Sequence, residues 1–288
     1  MSSTVLRRLI RVAATPLAAG LSILSVSTFC APSALVPDKP LHLSQARAFL
    51  DDAASDSHAS PSDLARAFSL AVSFLERSGG DDAELSWRVA RAAIAVAGDR
   101  ATSAADAEAA LRTAAASLAR LRHASISAAG GVARSAATDR WEGRVLLALR
   151  KFENVAQSVA HSWRARELFE SALETDSGDA EAAHLLGLWC WETASSASSL
   201  GAWYSSLWAT LPRSSLEEAQ LAFERADRLG GGAWPANSAW LARVCEARGN
   251  KEASARWARA TLALPPSSPA DADAHRLAKD VLARTAPK

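Results

Sequence analysis

Apolar residues recur along most of the chain at spacings of three and four, the period of an amphipathic helix. Leu64, Phe68, Val72 and Leu75 step by four, four and three, so one face of a helix over 62–77 carries them. Pro61 stands before that segment and Gly79-Gly80 after it, a start and a stop signal. Leu85, Val89, Ala92, Ala93 and Val96 predict a helix over 82–97, with Trp87 beside the stripe and Gly98 at its end. Leu111, Ala115, Leu118 and Leu121 predict another over 103–123, and Trp141, Val145 and Leu149 one over 138–149. A first helix is drawn over 41–54. Nothing alternates with period two, so no strand is predicted.

Residues 1–40 form a separate segment. Arg7, Arg8 and Arg11 precede an uncharged stretch from Val12 to Pro37, and the first acid is Asp38. Arginine and serine without acid suit a mitochondrial presequence. The uncharged stretch also reaches the roughly 20 residues that a bilayer crossing needs. Its strongly apolar part, Leu17 to Phe29, has the length of a secretory signal core. Presequence, membrane anchor and secretory signal stay open, and Pro32, Pro37 and Pro40 separate the segment from a helical domain over 41–288.

An internal repeat organises that domain. Ala165, Phe169 and Ala172 share the pattern Ala-x-x-x-aromatic-x-x-Ala with Ala219, Phe223 and Ala226, and with Ala253, Trp257 and Ala260. Phe223 and Trp257 are 34 residues apart, the tetratricopeptide period; Phe169 and Phe223 are 54 apart, which leaves 20 in excess. The excess falls in an irregular insertion at about 195–214. Leu186-Gly187 and Leu241-Ala242 sit where the partner helices need small residues. The expected fold is all-α, a tetratricopeptide-like solenoid of antiparallel helix pairs with a repeat core at about 62–285.

Composition supports this reading and trims the functions. Alanine supplies 67 of 288 residues, the best helix former in quantity. With 32 Lys and Arg against 31 Asp and Glu, the chain lacks the basic excess of a nucleic-acid binder. Residues 84–170 carry 13 cations and 9 acids, a mildly basic third suited to an acidic surface such as tubulin tails or anionic lipid, or to ordinary solvated helix faces. Three cysteines without a C-x-x-C pair exclude a disulfide framework and a conventional zinc module.

Particular motifs resemble the regulator of microtubule dynamics family. They are His184-Leu185-Leu186-Gly187-x-Trp189-Cys190, then Leu207-Trp208-Ala209-Thr210-x-Pro212 and Glu217-Glu218-Ala219. Trp87-Arg88-Val89-Ala90-Arg91 resembles the family's Trp-Arg-x-Ala-Arg helix. The resemblance covers roughly 62–285 and is strongest over 161–229. These are helical repeat proteins similar to the mitochondrial fission adaptor with tetratricopeptide repeats. The resemblance implies that the insertion is a family feature and that the chain is an interaction protein of microtubules or mitochondria, without an established reaction. Some members carry an N-terminal membrane segment and others are described on spindle microtubules. Thr175-Asp176-Ser177-Gly178 replaces the family's Asn-Pro or Asp-Pro turn, and Ser195-Ser196-Ala197-Ser198-Ser199 replaces the charged residues common in the family's insertion.

Candidate chemistry is sparse. Gly79-Gly80, Gly130-Gly131 and Gly230-Gly231-Gly232 lack the Lys-Ser/Thr of a phosphate loop and read as helix stops. His161 and His184 have no companion at zinc-ligand spacing and are expected to be hydrogen-bonded structural histidines. Cys190 reads as a small buried hydrophobe. Glu217-Glu218 behind Ser214-Ser215 reads as a helix cap. No catalytic, cofactor or metal residue is assigned. Seven of 10 tryptophans lie from Trp189 to Trp257, and Trp189 and Trp191 cannot share one helix face. The candidate partner-binding residues are therefore Trp191, Trp203, Tyr204 and Trp208 around the insertion. Trp87, Arg88 and Arg91 join them, because two arginines three apart can clamp a carboxylate or phosphate, or pair with Glu84 or another acid of the chain. The expected partner is tubulin or a peptide segment, with membrane or lipid contact as the alternative. The expected location is the mitochondrion or the cytoplasm and cytoskeleton.

Overall fold

A computed structural model of the 288-residue chain describes residues 43–55, 61–127, 135–199 and 211–285. The N-terminal segment, and Trp203, Tyr204 and Trp208, lie outside the described residues. Eleven α-helices fill the described parts, and no strand occurs among them. They are α1 (Leu43–Ser55), α2 (Pro61–Arg77), α3 (Ala83–Gly98), α4 (Ala104–Ser127), α5 (Ala136–Leu149), α6 (Val155–Thr175), α7 (Ala180–Ser199), α8 (Leu216–Leu229), α9 (Pro235–Ala247), α10 (Lys251–Ala263) and α11 (Pro269–Thr285). A 3-10 turn, Arg150–Phe152, joins α5 to α6. The chain stays helical to Ser199, past the point near 195 at which its serine-rich composition suggested irregularity.

Local chemistry sets the ends of these helices. Asp82 caps α3 by accepting from the Leu85 N–H at 2.9 Å. Ser215 and Glu218 close a reciprocal capping box on α8, as Ser135 and Thr138 do on α5. Pro235 starts α9 at a position whose N–H has no helical partner anyway. Gly79, Gly80, Gly231, Gly232 and Gly249 adopt positive φ after helices, which confirms glycine as the stop signal there.

The helices pack in sequence as α3 with α4, α5 with α6, α7 with α8, and α9 with α10, and α11 covers the last pair. Leu85, Val89, Leu111, Leu118 and Val145 belong to one buried core over α1–α5. A second core joins Phe169, Trp189, Phe223 and Leu241 across α6–α9.

The repeat motif is real in two copies and displaced in the third. Ala165, Phe169 and Ala172 are fully buried, as are Ala219, Phe223 and Ala226. Each Phe ring packs against a glycine of the partner helix. A Cβ added to Gly143 would come within 2.5 Å of the Phe169 ring, and one added to Gly187 within 2.7 Å of Phe223. In α10 the buried residues are Ser254, Ala258 and Thr261, one position on from the expected Ala253, Trp257 and Ala260. The reason is volume. The α9 partner has Ala242 in place of glycine, and Ala258 meets it in a core completed by Ala278 and Val281 of α11. Ser254 Oγ also donates to the Ala242 carbonyl at 2.8 Å. Trp257, half-buried, packs to the side.

Candidate functional site

Two sets of partner-binding candidates can be followed in the described residues. The first lies on α3. Arg88 is 8% exposed, and its guanidinium grips both oxygens of Asp51 on α1, at 3.0 and 2.6 Å. It also donates to the Glu84 carbonyl at 2.7 Å and carboxylate at 2.8 Å. Arg91 donates to Asp51 and to the Leu50 carbonyl, each at 2.8 Å. Both guanidiniums lie over the Trp87 ring, at 4.1 and 5.0 Å from its centroid. The clamp expected of two arginines three apart is formed, and its carboxylate comes from the chain's own first helix. Burial works against the Asp51 charge, but the hydrogen bonds and charges of Arg88 and Arg91 outweigh it and hold the carboxyl below its usual range. Arg47 adds a second tie, 2.7 Å from Asp82.

The second set lies on α7, where spacing two splits the tryptophans. Trp189 is 1% exposed, and its indole N–H donates to the Ser162 carbonyl at 2.8 Å and hydroxyl at 3.1 Å. Trp191 leaves on another side, half-buried, 5.9 Å from Trp240 and 5.7 Å from the Arg243 guanidinium. Trp240 in turn stacks on Phe223 with 7° between the ring planes. Phe223 meets His184 at 5.3 Å, and His184 meets Trp234 at 4.4 Å. A continuous aromatic row thus crosses α7, α8 and α9.

His184 sits in that row as a neutral base. Burial, with a smaller push from Arg144, pulls its pKa down to about 4 against the opposing hydrogen bond to Asn237. Its Nδ1 lies 2.9 Å from Asn237 Oδ1, and Asn237 Nδ2 donates to the Phe223 carbonyl at 2.9 Å. With the Asn237 amide donating to Phe223, its oxygen faces His184, so Nδ1 carries the proton. His184 is the hydrogen-bonded structural histidine expected. At His161 the buried Nδ1 has no partner, so the expectation is not met at that nitrogen.

Beside Trp191 opens a cleft of about 850 Å³, bordered by Arg150, Ser158, Ser162, Ser195 and Pro212. Its size suits a small ligand or a short peptide segment. Cys190 and Cys245 are buried free thiols, and burial pushes both up, away from the reactive thiolate. Among the described residues no group of three or more His, Cys, Asp or Glu is placed to hold a metal ion.

Several residues were not legible beforehand. Gly143 was missed because Glu142 stands where the repeat has leucine. Glu142 is 2% exposed and paired with Arg122, an acid buried on the core side of α5. Asp179, also buried, pairs with Arg140. An acid at a core position of the helical stripe was the available signal for Glu142. Asp51, Trp240 and Asn237 come close only through the tertiary fold.

Stacked helix pairs with Gly-on-Phe packing define the class as tetratricopeptide-like, and solved structures agree. A thermophilic TPR protein of Thermus thermophilus superposes with a TM-score of 0.53 at 13% identity, over 84% of this chain and all of that one. The sequence adds the family. The family described as Regulator of microtubule dynamics protein 1-3 matches residues 43–286, and the chain belongs to it. Regulator of microtubule dynamics protein 1 of Bos taurus is 29% identical over 182 residues, 62% of this chain and 54% of that protein. Regulator of microtubule dynamics protein 3 of Xenopus laevis is 26% identical over 152 residues, 51% of this chain and 32% of that protein. The chain spans about half the length, or less, of the curated relatives it matches.

Proposed function

We propose that this protein is a non-enzymatic interaction module that docks a protein segment beside Trp191 and associates with microtubules and/or mitochondria. Membership of the regulator family over residues 43–286 is the observation that carries this reading. The Trp191, Trp240 and Arg243 cluster supports its placement: a rigid aromatic surface beside a cleft is the kind of anchor that dominates binding energy. Trp203, Tyr204 and Trp208 belong to the same segment of sequence and are proposed to act with it. Trp87, Arg88 and Arg91 are assigned to holding α1, since their donors already serve Asp51 and Glu84.

Co-pelleting of the whole chain with polymerised tubulin tests the reading. A pelleted fraction that shrinks as salt rises supports contact with acidic tails, and no pelleting at low salt overturns it. The cleft favours a second reading, a lipid-handling or membrane-contact protein. That reading requires lipid to accompany the purified protein in a native mass spectrum, and a lipid-free spectrum removes it.

A further inference from the structure

α1 is attached to the stack differently from its neighbours. α2 puts Ala71, Phe74 and Leu75 into the core, and α3 puts in Leu85, Val89, Ala90, Ala93 and Val96. Among the described side chains of α1, Leu50 alone is buried, with Phe49 half-buried beside it. Polar ties to α3 carry much of the rest. Arg47 and Asp51, one helical turn apart, reach Asp82 and the Arg88 and Arg91 pair, and Arg91 also takes the Leu50 carbonyl. The α1 partners of these ties already stand partly in water, Arg47 at 36% and Asp51 at 40% exposure.

The α3 side of this contact survives its loss. With α1 away, Arg88 keeps the Glu84 carbonyl and carboxylate and the face of Trp87. Arg91 keeps the same ring, and Asp82 keeps the Leu85 N–H that it caps. Breaking a buried ion pair is costly when one charge is left buried and alone, and here none is. The rest of the stack is joined by large, fully buried side chains instead, Phe169, Trp189 and Phe223 among them. A helix of 13 residues is marginal in water by itself, so α1 melts once it lets go. As a docked helix those residues span about 20 Å, and extended they reach roughly 43 Å. Residues 1–42 precede them directly.

We propose that α1 is a releasable strap. It opens as a unit while α2–α11 stay packed, Asp51 is the residue that holds it shut, and opening lengthens the link between residues 1–42 and the stack. This requires neither a tubulin contact nor a ligand in the cleft beside Trp191.

Amide hydrogen exchange of the full chain, resolved by peptide, reads this opening. In the unaltered chain α1 should exchange at least about tenfold faster than α3 and α7, as a locally opening unit does. Asp51→Asn removes charged hydrogen bonds and should speed α1 by about a further tenfold, with α5–α9 unchanged. Phe223→Ala loosens the far pair and should speed α7 and α8 while α1 exchanges as before. Three results would each overturn the proposal. They are α1 protected as well as α3 in the unaltered chain, no acceleration of α1 by Asp51→Asn, and acceleration of α1 and α7 alike by Phe223→Ala, which would mean that α1 opens only with the whole fold.

Discussion

The α7–α8 and α9–α10 pairs are copies of one design solved with different volumes. In α7–α8, Gly187 yields its side-chain space to Phe223, and one aromatic ring fills the gap between backbones. In α9–α10, Ala242 occupies part of that space, the buried register moves on by one residue to Ala258, and α11 supplies the missing volume. His184, three residues before Gly187, builds a polar link to α9 through Asn237; three before Ala242 stands Ala239, buried and apolar. Where a neighbour follows in the stack, a pair can rely on a large ring and a shared hydrogen bond. In α9–α10, small residues and the covering helix α11 do the same work.

The comparison can be broken most sharply at Phe223. Phe223→Ala should cost about 3–5 kcal/mol by removing a fully buried ring, measured by denaturant unfolding. Acid should separate the layers next. The unfolded imidazole of His184 takes up a proton near 6.5, the folded one near 4. The stability it supports is complete above about 6.5 and falls by up to about 3 kcal/mol as pH drops to 4. His184→Gln should flatten that slope in unfolding curves taken at several pH values.

Gly187→Ala comes third. Overpacking of about 3 kcal/mol, offset by about 1 kcal/mol of helix propensity, leaves a net loss of about 2 kcal/mol. On the Phe223→Ala background the same change should be neutral or stabilising, because the added methyl then enters vacated space. The smallest effect belongs to the far end of the molecule. Asp51→Asn should cost about 1–2 kcal/mol by leaving the buried Arg88 with Glu84 alone, a figure held down because Asp51 is 40% exposed. Its loss should shrink further in salt, unlike that of Phe223→Ala.

The two kinds of contact explain what could be read from the chain. Ala165, Phe169 and Ala172 were visible because close backbone approach demands small residues at fixed spacing on one helix. Gly187 was visible for the same reason. The third register was misread because Trp257 satisfied the pattern, whereas the volume that displaced it comes from α11, some twenty residues further on. The fate of Arg88 and Arg91 was half legible. Their spacing implied a clamp and Glu84 a local acid, but Asp51, 37 residues upstream of Arg88, arrives only by packing of α1. Trp191 was known to diverge from Trp189; that it meets Trp240 depends on how α9 sits beside α7.

The central claim, that docking belongs to the α7 face and not to the α3 clamp, is tested by co-pelleting with polymerised tubulin. The full chain, Trp191→Ser and Asp51→Asn would be compared, each verified as folded at the assay temperature. The pelleted fraction should fall several-fold for Trp191→Ser and match the unaltered chain for Asp51→Asn. Undiminished binding by Trp191→Ser, or stronger binding when Asp51→Asn frees the two arginines, would contradict it.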